Sequence, residues 1–421
     1  MGFIEELKWR GILKDIMPGT EEELAKGMTA GYIGFDPTAD SMHIGNLVQV
    51  MTLVHFQRAG HKPYALVGGA TGMVGDPSGK SAERNLLDME TLEKNQAGVT
   101  KELQKFLDFD CGDNSAVVVN NYDWFKEFGF LEFIRDVGKH ISVNYMMAKD
   151  SVKSRLETGM SFTEFSYQLV QGYDFYHLWK EHNCKLQLGG SDQWGNIVTG
   201  TELIRRKGQG EAFAATTHLI KKADGTKFGK TESGAVWLNK ERTSVRDFYQ
   251  YWLNASDVDA STYIRIFSLK TQEEIEAIEA KHNENPGAKH LQKELGKEIT
   301  IRVHSQADYD ALGLDNNIMF DRSIKKEELA GMGEDALVGA MGSYPRVQAS
   351  NTEVGLFEFL AAETGIYQSN GAARRDLQGN AVAFNKEKIK VDHALSEDDW
   401  LYGKYLIVSV GKKKHFLVEK A

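Results

Sequence analysis

The sequence predicts an α/β protein in which a parallel sheet wrapped by helices is followed by a helical unit and then by a small third unit. Three observations predict it. From about residue 32 to residue 220, short β-rich apolar runs alternate with helix-length amphipathic stretches. From residue 243 to about residue 303 the apolar period becomes helical. Near the C-terminus the local charge changes sign. The chain has 421 residues, 41% of them hydrophobic and 26% charged, which is material for two or three packed units in series.

Residues 64–67, 117–119 and 185–188 read as strands, and two of them end in the glycine turns Gly68-Gly69 and Gly189-Gly190. Ligands of such sheets collect beyond the carboxyl ends of the strands, so chemistry is expected at those turns. In the helical unit Thr271 and Glu274 form a capping-box pattern, and Pro286 marks a further helix start. Residues from about 321 to 346, with scattered glycine and charge, read as a connector. Between residues 370 and 415 nine Lys or Arg face six acids, a basic excess inside a chain of net charge -10. Any RNA contact is therefore expected from a local patch and not from a uniform basic coat.

Several classes are excluded. The apolar runs 116–119 and 406–410 are far shorter than the roughly 20 residues of a membrane helix. The first ten residues mix acids with bases, unlike a secretory signal. Cys111 and Cys184 are too few for a disulfide framework or a structural zinc cluster, and a reducing cytoplasm is the expected compartment.

Four segments carry candidate chemistry. Residues 31–46 have the form of strand, turn and helix start, with His43 and Gly45 at the helix N-terminus, where unpaired amides and the helix dipole attract phosphate. The imidazole can donate to phosphate oxygens, and the glycine offers a flat face to an adenine ring. A lone His-x-Gly would read as no more than a capped helix. Both Gly75 to Gly79-Lys80-Ser81 and Gly225 to Gly229-Lys230-Thr231 are one residue short of a nucleotide-binding P-loop and are rejected as such. What remains of the second is a polar loop, Lys227-Phe-Gly-Lys-Thr231, able to set two ammonium groups against a polyphosphate. Gly189-Gly-Ser-Asp-Gln-Trp-Gly-Asn196 puts a carboxylate, suited to ribose hydroxyls, and an amide at the end of a strand. Tyr167, Gln171 and Asp174 recur at spacings of four and three, so they share one face of a helix.

Taken in this order, the four segments resemble the tyrosyl-tRNA synthetases, over essentially the whole chain. Asp36-Pro-Thr-Ala-Asp-Ser-Met-His-Ile-Gly-Asn46 is similar to the family's HIGH segment, Lys227 to Thr231 to its KMSKS loop, and Gly189 to Asn196 to its adenylate-binding signature. The C-terminal stretch of about 70 residues, particularly Ser369-Asn-Gly-Ala-Ala-Arg-Arg375, resembles a small RNA-binding domain also found in a ribosomal protein. The resemblance implies a Rossmann-type catalytic domain over residues 1–220 with a dimerisation insertion at about 122–185. It further implies a loop and helical anticodon-side domain over 221–320, a linker over 321–350, and a small α+β RNA-binding domain over 351–421. It implies ATP as substrate, with Mg2+ carried on the nucleotide, and L-tyrosine and tRNA(Tyr) as partners of a homodimer.

The resemblance also assigns roles. Thr38, His43, Lys80, Arg84, Lys227, Lys230 and Thr231 would stabilise the phosphates. Asp76, Tyr167 and Gln171 would receive the tyrosine ammonium, Tyr32 and Asp174 its phenolic hydroxyl, and Gln193 the reacting carboxyl group. Asp36, Gly45, Asn46 and Asp192 would hold the nucleoside, with the backbone of Leu219 and Ile220 beside its adenine. Arg374, Arg375, Lys412, Lys413 and Lys414 would contact tRNA phosphates. Asn46 departs from the family's second HIGH histidine and keeps a hydrogen-bond donor without acid–base chemistry. Rival readings are a tryptophan-activating relative, a nucleotidyltransferase with a similar histidine motif, and a non-catalytic RNA-binding descendant.

Overall fold

The apolar runs become β1 (Leu13–Ile16), β2 (Ala30–Phe35), β3 (Lys62–Val67), β4 (Val117–Asn120), β5 (Cys184–Gly190) and β6 (Phe213–Thr217). They form one six-stranded sheet in the order β1-β6-β5-β2-β3-β4. Strands β2 to β6 are parallel, and β1 alone is antiparallel, paired with β6 at the edge. The sequence pattern does not announce β1, because Leu-Lys-Asp-Ile is short and half polar, as befits an edge. The computed structural model describes residues 2–78, 87–153, 159–231, 234–312, 324–342, 344–411 and 414–421, with the backbone alone at residues 150, 151 and 231. It divides into two compact units, Met1–His304 and Ser305–Ala421.

Strand order decides where a ligand can go. The chain leaves β2 toward β3 and β4 on one side and leaves β5 toward β6 on the other, so the order reverses between β2 and β5. No crossover covers their carboxyl ends, and a crevice opens there. Three helices line or brace it. α1 (Ile44–Arg58) is apolar nearly throughout and is buried along most of its length, since it lies between the sheet and the helical part of the same unit. α2 (Met89–Leu103) starts at an Asp88 cap. α3 (Phe162–His182) starts at a Ser161–Glu164 capping box and stops at Asn183, whose φ of 49° turns the chain directly into β5.

Beyond β6, strands β7 (Lys230–Thr231) and β8 (Gly234–Ala235) form a two-stranded hairpin. Helices α4 (Val245–Leu253), α5 (Asp257–Phe267), α6 (Gln272–Glu284) and α7 (His290–Val303) come next. The Thr271–Glu274 box caps α6 as expected. Pro286 opens only a single 3-10 turn, because Lys289 at φ 52° breaks the path and α7 starts at His290. The sheet and these helices share one core that runs from Phe3 to Val303, so they form one compact unit.

The second unit holds a five-stranded sheet of β9 (Arg346–Ala349), β10 (Val382–Phe384), β11 (Glu387–Lys388), β12 (Tyr405–Val410) and β13 (Lys414–Lys420), in the order β11-β10-β12-β13-β9. Both its faces are covered, which explains the unbroken apolar run of β12. Leu406 and Val408 pack with Phe359, Leu377 and Val418 on one face. Tyr405 and Ile407 pack with Leu329, Leu337 and Met341 on the other. The stretch that reads as a connector is thus folded where it is described: Lys326–Gly331 and Glu334–Ala340 are short helices that supply this second layer.

Gly98 on α2 shows how tightly the first unit is braced, since a Cβ there would stand 2.0 Å from the carbonyl oxygen of Asp40. Backbone cannot yield as a side chain can. Gly98→Ala is expected to lower the stability of the protein by about 1–3 kcal/mol, read from the urea unfolding midpoint.

Candidate active site

At the reversal between β2 and β5 lies a cleft of about 380 Å³. Tyr32 enters it from β2, Asp36 and Thr38 from the turn after β2, His43, Gly45 and Asn46 from the start of α1, and Asp76 from just beyond the short helix Gly69–Val74 that follows β3. Tyr167, Gln171 and Asp174 enter from one face of α3, as their spacing requires, and Asp192, Gln193 and Leu219 from beyond β5 and β6. The cleft is rich in buried polar atoms that have no partner among the described residues. Tyr32 Oη, Gln49 Oε1, Gln171 Oε1 and Gln187 Oε1 are all buried and unpaired there, and all four residues line the cleft. Such atoms are rare in folded proteins and mark a surface built for a polar ligand.

A hydrogen-bonded chain of neutral and acidic groups crosses the floor. The Tyr167 hydroxyl donates to Asp36 Oδ2 at 2.9 Å, and Thr71 donates to Asp36 Oδ1 at 2.7 Å. Asn121, wholly buried, donates to Thr71 Oγ1 at 3.1 Å and to Asp174 Oδ2 at 3.0 Å, and accepts from the Ala70 amide at 2.6 Å. The Trp124 indole donates to Asp174 Oδ1 at 2.9 Å. Both Asp174 oxygens thus receive donors, yet none of these carries charge. Burial outweighs them and pushes the carboxyl up to about 8 from its ordinary 3.8. The sequence makes Asp174 an acceptor, and both of its oxygens do accept hydrogen bonds, while burial favours its protonated form. Burial, with Asp174 nearby, also pushes the Tyr32 hydroxyl well above its ordinary range.

The helix start is built around a histidine cap. Nδ1 of His43 accepts from the Gly45 amide at 3.1 Å, and Asn46 Oδ1 accepts from the His43 amide at 3.1 Å. The accepting Nδ1 leaves the ring proton on Nε2. Desolvation lowers the His43 pKa, with Lys230 adding to it, so the ring is a neutral donor at physiological pH. A Cβ on Gly45 would lie 2.8 Å from His43 Cε1. The glycine is therefore required by the folded-back imidazole, a reason that the sequence alone does not supply. Asp76 and Gln193 are held to each other by a 2.7 Å hydrogen bond from the amide.

The polar loop lies against this helix start. A Cβ on Gly229 would come within 3.3 Å of the Gly45 amide nitrogen, and the Gly229 amide donates to the Tyr251 hydroxyl at 3.1 Å. Phe228 is sunk into the helical part, 4.8 Å from the Tyr263 ring and stacked on Phe267 at 5.6 Å. Lys227 and Lys230 are exposed and lie outside the cleft lining.

The family model described as tRNA synthetases class I (W and Y) matches residues 25–317, and that of a tyrosine–tRNA ligase SYY-like C-terminal domain matches residues 337–418. A tyrosine–tRNA ligase of Cytophaga hutchinsonii is 56% identical over 99% of both chains, and one of Bacteroides thetaiotaomicron 55% identical over the same shares. A crystal structure of a C-terminally truncated mitochondrial tyrosyl-tRNA synthetase of Aspergillus nidulans superposes with a TM-score of 0.66 at 29% identity, covering 74% of this chain and 92% of that one. The chain belongs to the tyrosyl-tRNA synthetase family.

Against that family's pattern, the cleft gathers all the tyrosine-directed residues expected from the sequence, together with Asp36, Thr38, His43, Gly45, Asn46, Asp192 and Leu219. The Ile220 side chain packs against the hydrophobic core, which leaves only its backbone for the nucleoside, as the resemblance implies. Lys80, Arg84, Lys412, Lys413 and the side chain of Thr231 lie outside the described residues. Arg374, Arg375 and Lys414 are exposed in the second unit, with the Arg374 guanidinium 4.8 Å over the Phe357 ring. Sequence reasoning misses Thr71, Asn121 and Trp124. Asn121 stands just past the carboxyl end of a strand, the position that marks ligand-side residues, but no glycine turn draws notice to it.

The buried acid has a consequence for pH. Between about 4 and about 8 the folded protein keeps a proton on Asp174 that the unfolded chain has released, so the contribution of this group to stability falls as pH rises through that window. In Asp174→Asn that loss is absent. The stability of the variant relative to the parent should climb by an order of a few kcal/mol across urea titrations between about pH 4 and about pH 8, then level off. A flat difference would mean that the carboxyl is ionised in the folded protein.

Proposed function

We propose that this chain attaches L-tyrosine to tRNA(Tyr) in two steps at the β2–β5 cleft, making tyrosyl-adenylate from ATP first. The observation that carries the reading is that one cleft holds both a phosphate-directed helix start at His43 and a buried hydroxyl-directed pair, Tyr32 and Asp174. In the first step the ionised carboxylate of tyrosine attacks the α-phosphorus, a new oxygen–phosphorus bond forms, and pyrophosphate leaves. The nucleophile needs no general base, so rate comes from positioning and from charge stabilisation.

The site chemistry supports specific roles. Tyr167 gives its proton to Asp36, so its lone pairs face outward as acceptors for the tyrosine ammonium, beside Gln171 Oε1 and Asp76. Tyr32 and Asp174 meet the phenolic hydroxyl, and a ligand without that hydroxyl would leave buried polar groups unpaired. Nε2–H of His43 and Thr38 reach the phosphates, while Lys227 and Lys230, with Lys80, Arg84 and Thr231, close on the departing pyrophosphate. Asp36, Gly45, Asn46, Asp192 and Leu219 hold the nucleoside, and Gln193 the reacting carboxyl group. Mg2+ arrives on the nucleotide; among the described residues no three His, Cys, Asp or Glu side chains gather as a metal site. In the second step a terminal ribose hydroxyl of the tRNA attacks the adenylate carbonyl and AMP leaves. Arg374, Arg375 and Lys412 to Lys414 supply phosphate contacts, and the cytoplasm is the compartment that fits this work.

We further propose a homodimer formed through the 122–165 region. Phe130, Leu131, Val143 and Phe162 are 64%, 80%, 63% and 68% exposed, an apolar patch that a solitary chain rarely leaves open. Leu131→Asp is expected to move the protein from dimer to monomer in sedimentation analysis; an unchanged species would remove the patch from the interface.

Exchange of labelled pyrophosphate into ATP tests the reaction. It should require tyrosine and not respond to tryptophan or phenylalanine. Lys230→Ala should lower kcat by roughly a hundredfold, about 3 kcal/mol, and leave the KM for tyrosine nearly unchanged. An unaltered kcat would take the lysine out of the transition state.

A further inference from the structure

The segment after the Lys227–Thr231 loop returns to the helix start and pairs with it. The Ile44 amide donates to the Val236 carbonyl at 2.9 Å, the Leu238 amide to the Met42 carbonyl at 2.9 Å, and the Val236 amide to the Gly229 carbonyl at 3.0 Å. His43 and Trp237 face each other in this pairing, with ring centroids 6.0 Å apart. The backbone that presents His43 and the backbone that carries the loop are therefore one hydrogen-bonded layer.

Arg242 closes that layer from outside the cleft. Its Nη2 lies 2.5 Å from Asp40 Oδ1, and its guanidinium sits 4.5 Å over the Trp237 ring. Asp40 belongs to the turn that leads into His43, and Lys94 Nζ stands 3.8 Å from its other oxygen. The turn is held rigid from behind, because Glu102 on α2 accepts from Ser41 Oγ and from the Met42 amide, each at 2.6 Å. Asn239 adds a backbone donor to Ser41 Oγ at 3.2 Å. Arg242 thus touches both the turn before α1 and the segment that carries the loop through one guanidinium.

A half-exposed ion pair of this kind contributes little to global stability. What it can set is where the 235–243 segment sits against the turn before α1. Resting on the function proposed above, we propose that Arg242 is a positioning residue for tyrosine activation: it latches the 235–243 segment to Asp40 and so holds the Lys227–Thr231 loop against the start of α1, where ATP phosphates bind. Removing it leaves the tyrosine end of the cleft intact and loosens the phosphate end.

The test uses Arg242→Gln, Arg242→Lys, Asp40→Asn and the Arg242→Gln/Asp40→Asn pair in the full-length protein. Arg242→Gln should lower kcat/KM for ATP about tenfold or more in pyrophosphate exchange, with the Kd for tyrosine, from fluorescence titration, within about twofold of the parent. Arg242→Lys should recover part of the loss, since it keeps the charge but not the planar fork. The double variant should be no slower than the worse single variant, because both substitutions open one latch. Independently of any activity, hydrogen exchange at the Val236 and Ile44 amides should speed up in Arg242→Gln and in Asp40→Asn without ligands. Unchanged exchange at those amides, multiplying effects in the double variant, or a loss confined to tyrosine binding would each overturn the latch. A parent protein with no tyrosine-dependent exchange would overturn the proposed function instead, and the amide measurement would still decide the latch.

Discussion

The reversal of strand order between β2 and β5 is the constraint on which the rest of the site depends. Two neighbouring strands whose connections leave in opposite directions cannot both have their carboxyl ends covered by crossovers. That gap lets Tyr32, in the middle of a core strand, and Gln187, its register partner on β5, turn polar groups inward without being sealed in apolar packing. It also places the ends of β2, β3 and β5 within reach of one face of α3, so a helix with three polar residues at spacings of four and three completes a wall.

Within that gap burial works against charge on several groups. Burial pushes Asp174 upward, and Asp192, also desolvated, moves the same way with Asp76 nearby. Desolvation moves His43 downward, so the start of α1 presents a neutral imidazole to the cleft. The donors spent on Asp174 are an amide and an indole, not a lysine or arginine. A cation in their place would fix a carboxylate there and form a pair costly to desolvate or to break. Neutral donors instead leave the acid able to share a proton with an incoming hydroxyl.

Much of this is legible in the sequence where one residue's chemistry suffices. The glycine turns mark the carboxyl ends of strands, and the four-and-three spacing of Tyr167, Gln171 and Asp174 puts them on one side of a helix that the structure does turn toward the cleft. Less legible are residues whose importance is relational. Asn121 and Trp124 matter because their donors converge on Asp174 from 53 and 50 residues away in sequence. Gly45 reads as a platform for a base, and the sequence does not disclose that its missing side chain also makes room for His43. Residues 324–342 read as a connector because their apolar residues, in helices of six and seven residues, are too few to set a period.

The polar loop shows why position and chemistry are separately encoded. Its lysines are exposed, but the residue between Lys227 and Gly229 is an aromatic ring sunk among Tyr251, Trp252, Tyr263 and Phe267. That ring anchors the loop to the helical part, while backbone pairing through Val236 anchors its other end to the start of α1. A loop held at both ends by different elements cannot shift without a change at one of them. α4 and α5 thus meet the loop through the rings around Phe228 and through the Tyr251 hydroxyl, which accepts from the Gly229 amide. The helices beyond the sheet and the start of α1 share a single core, and the loop is pinned between them.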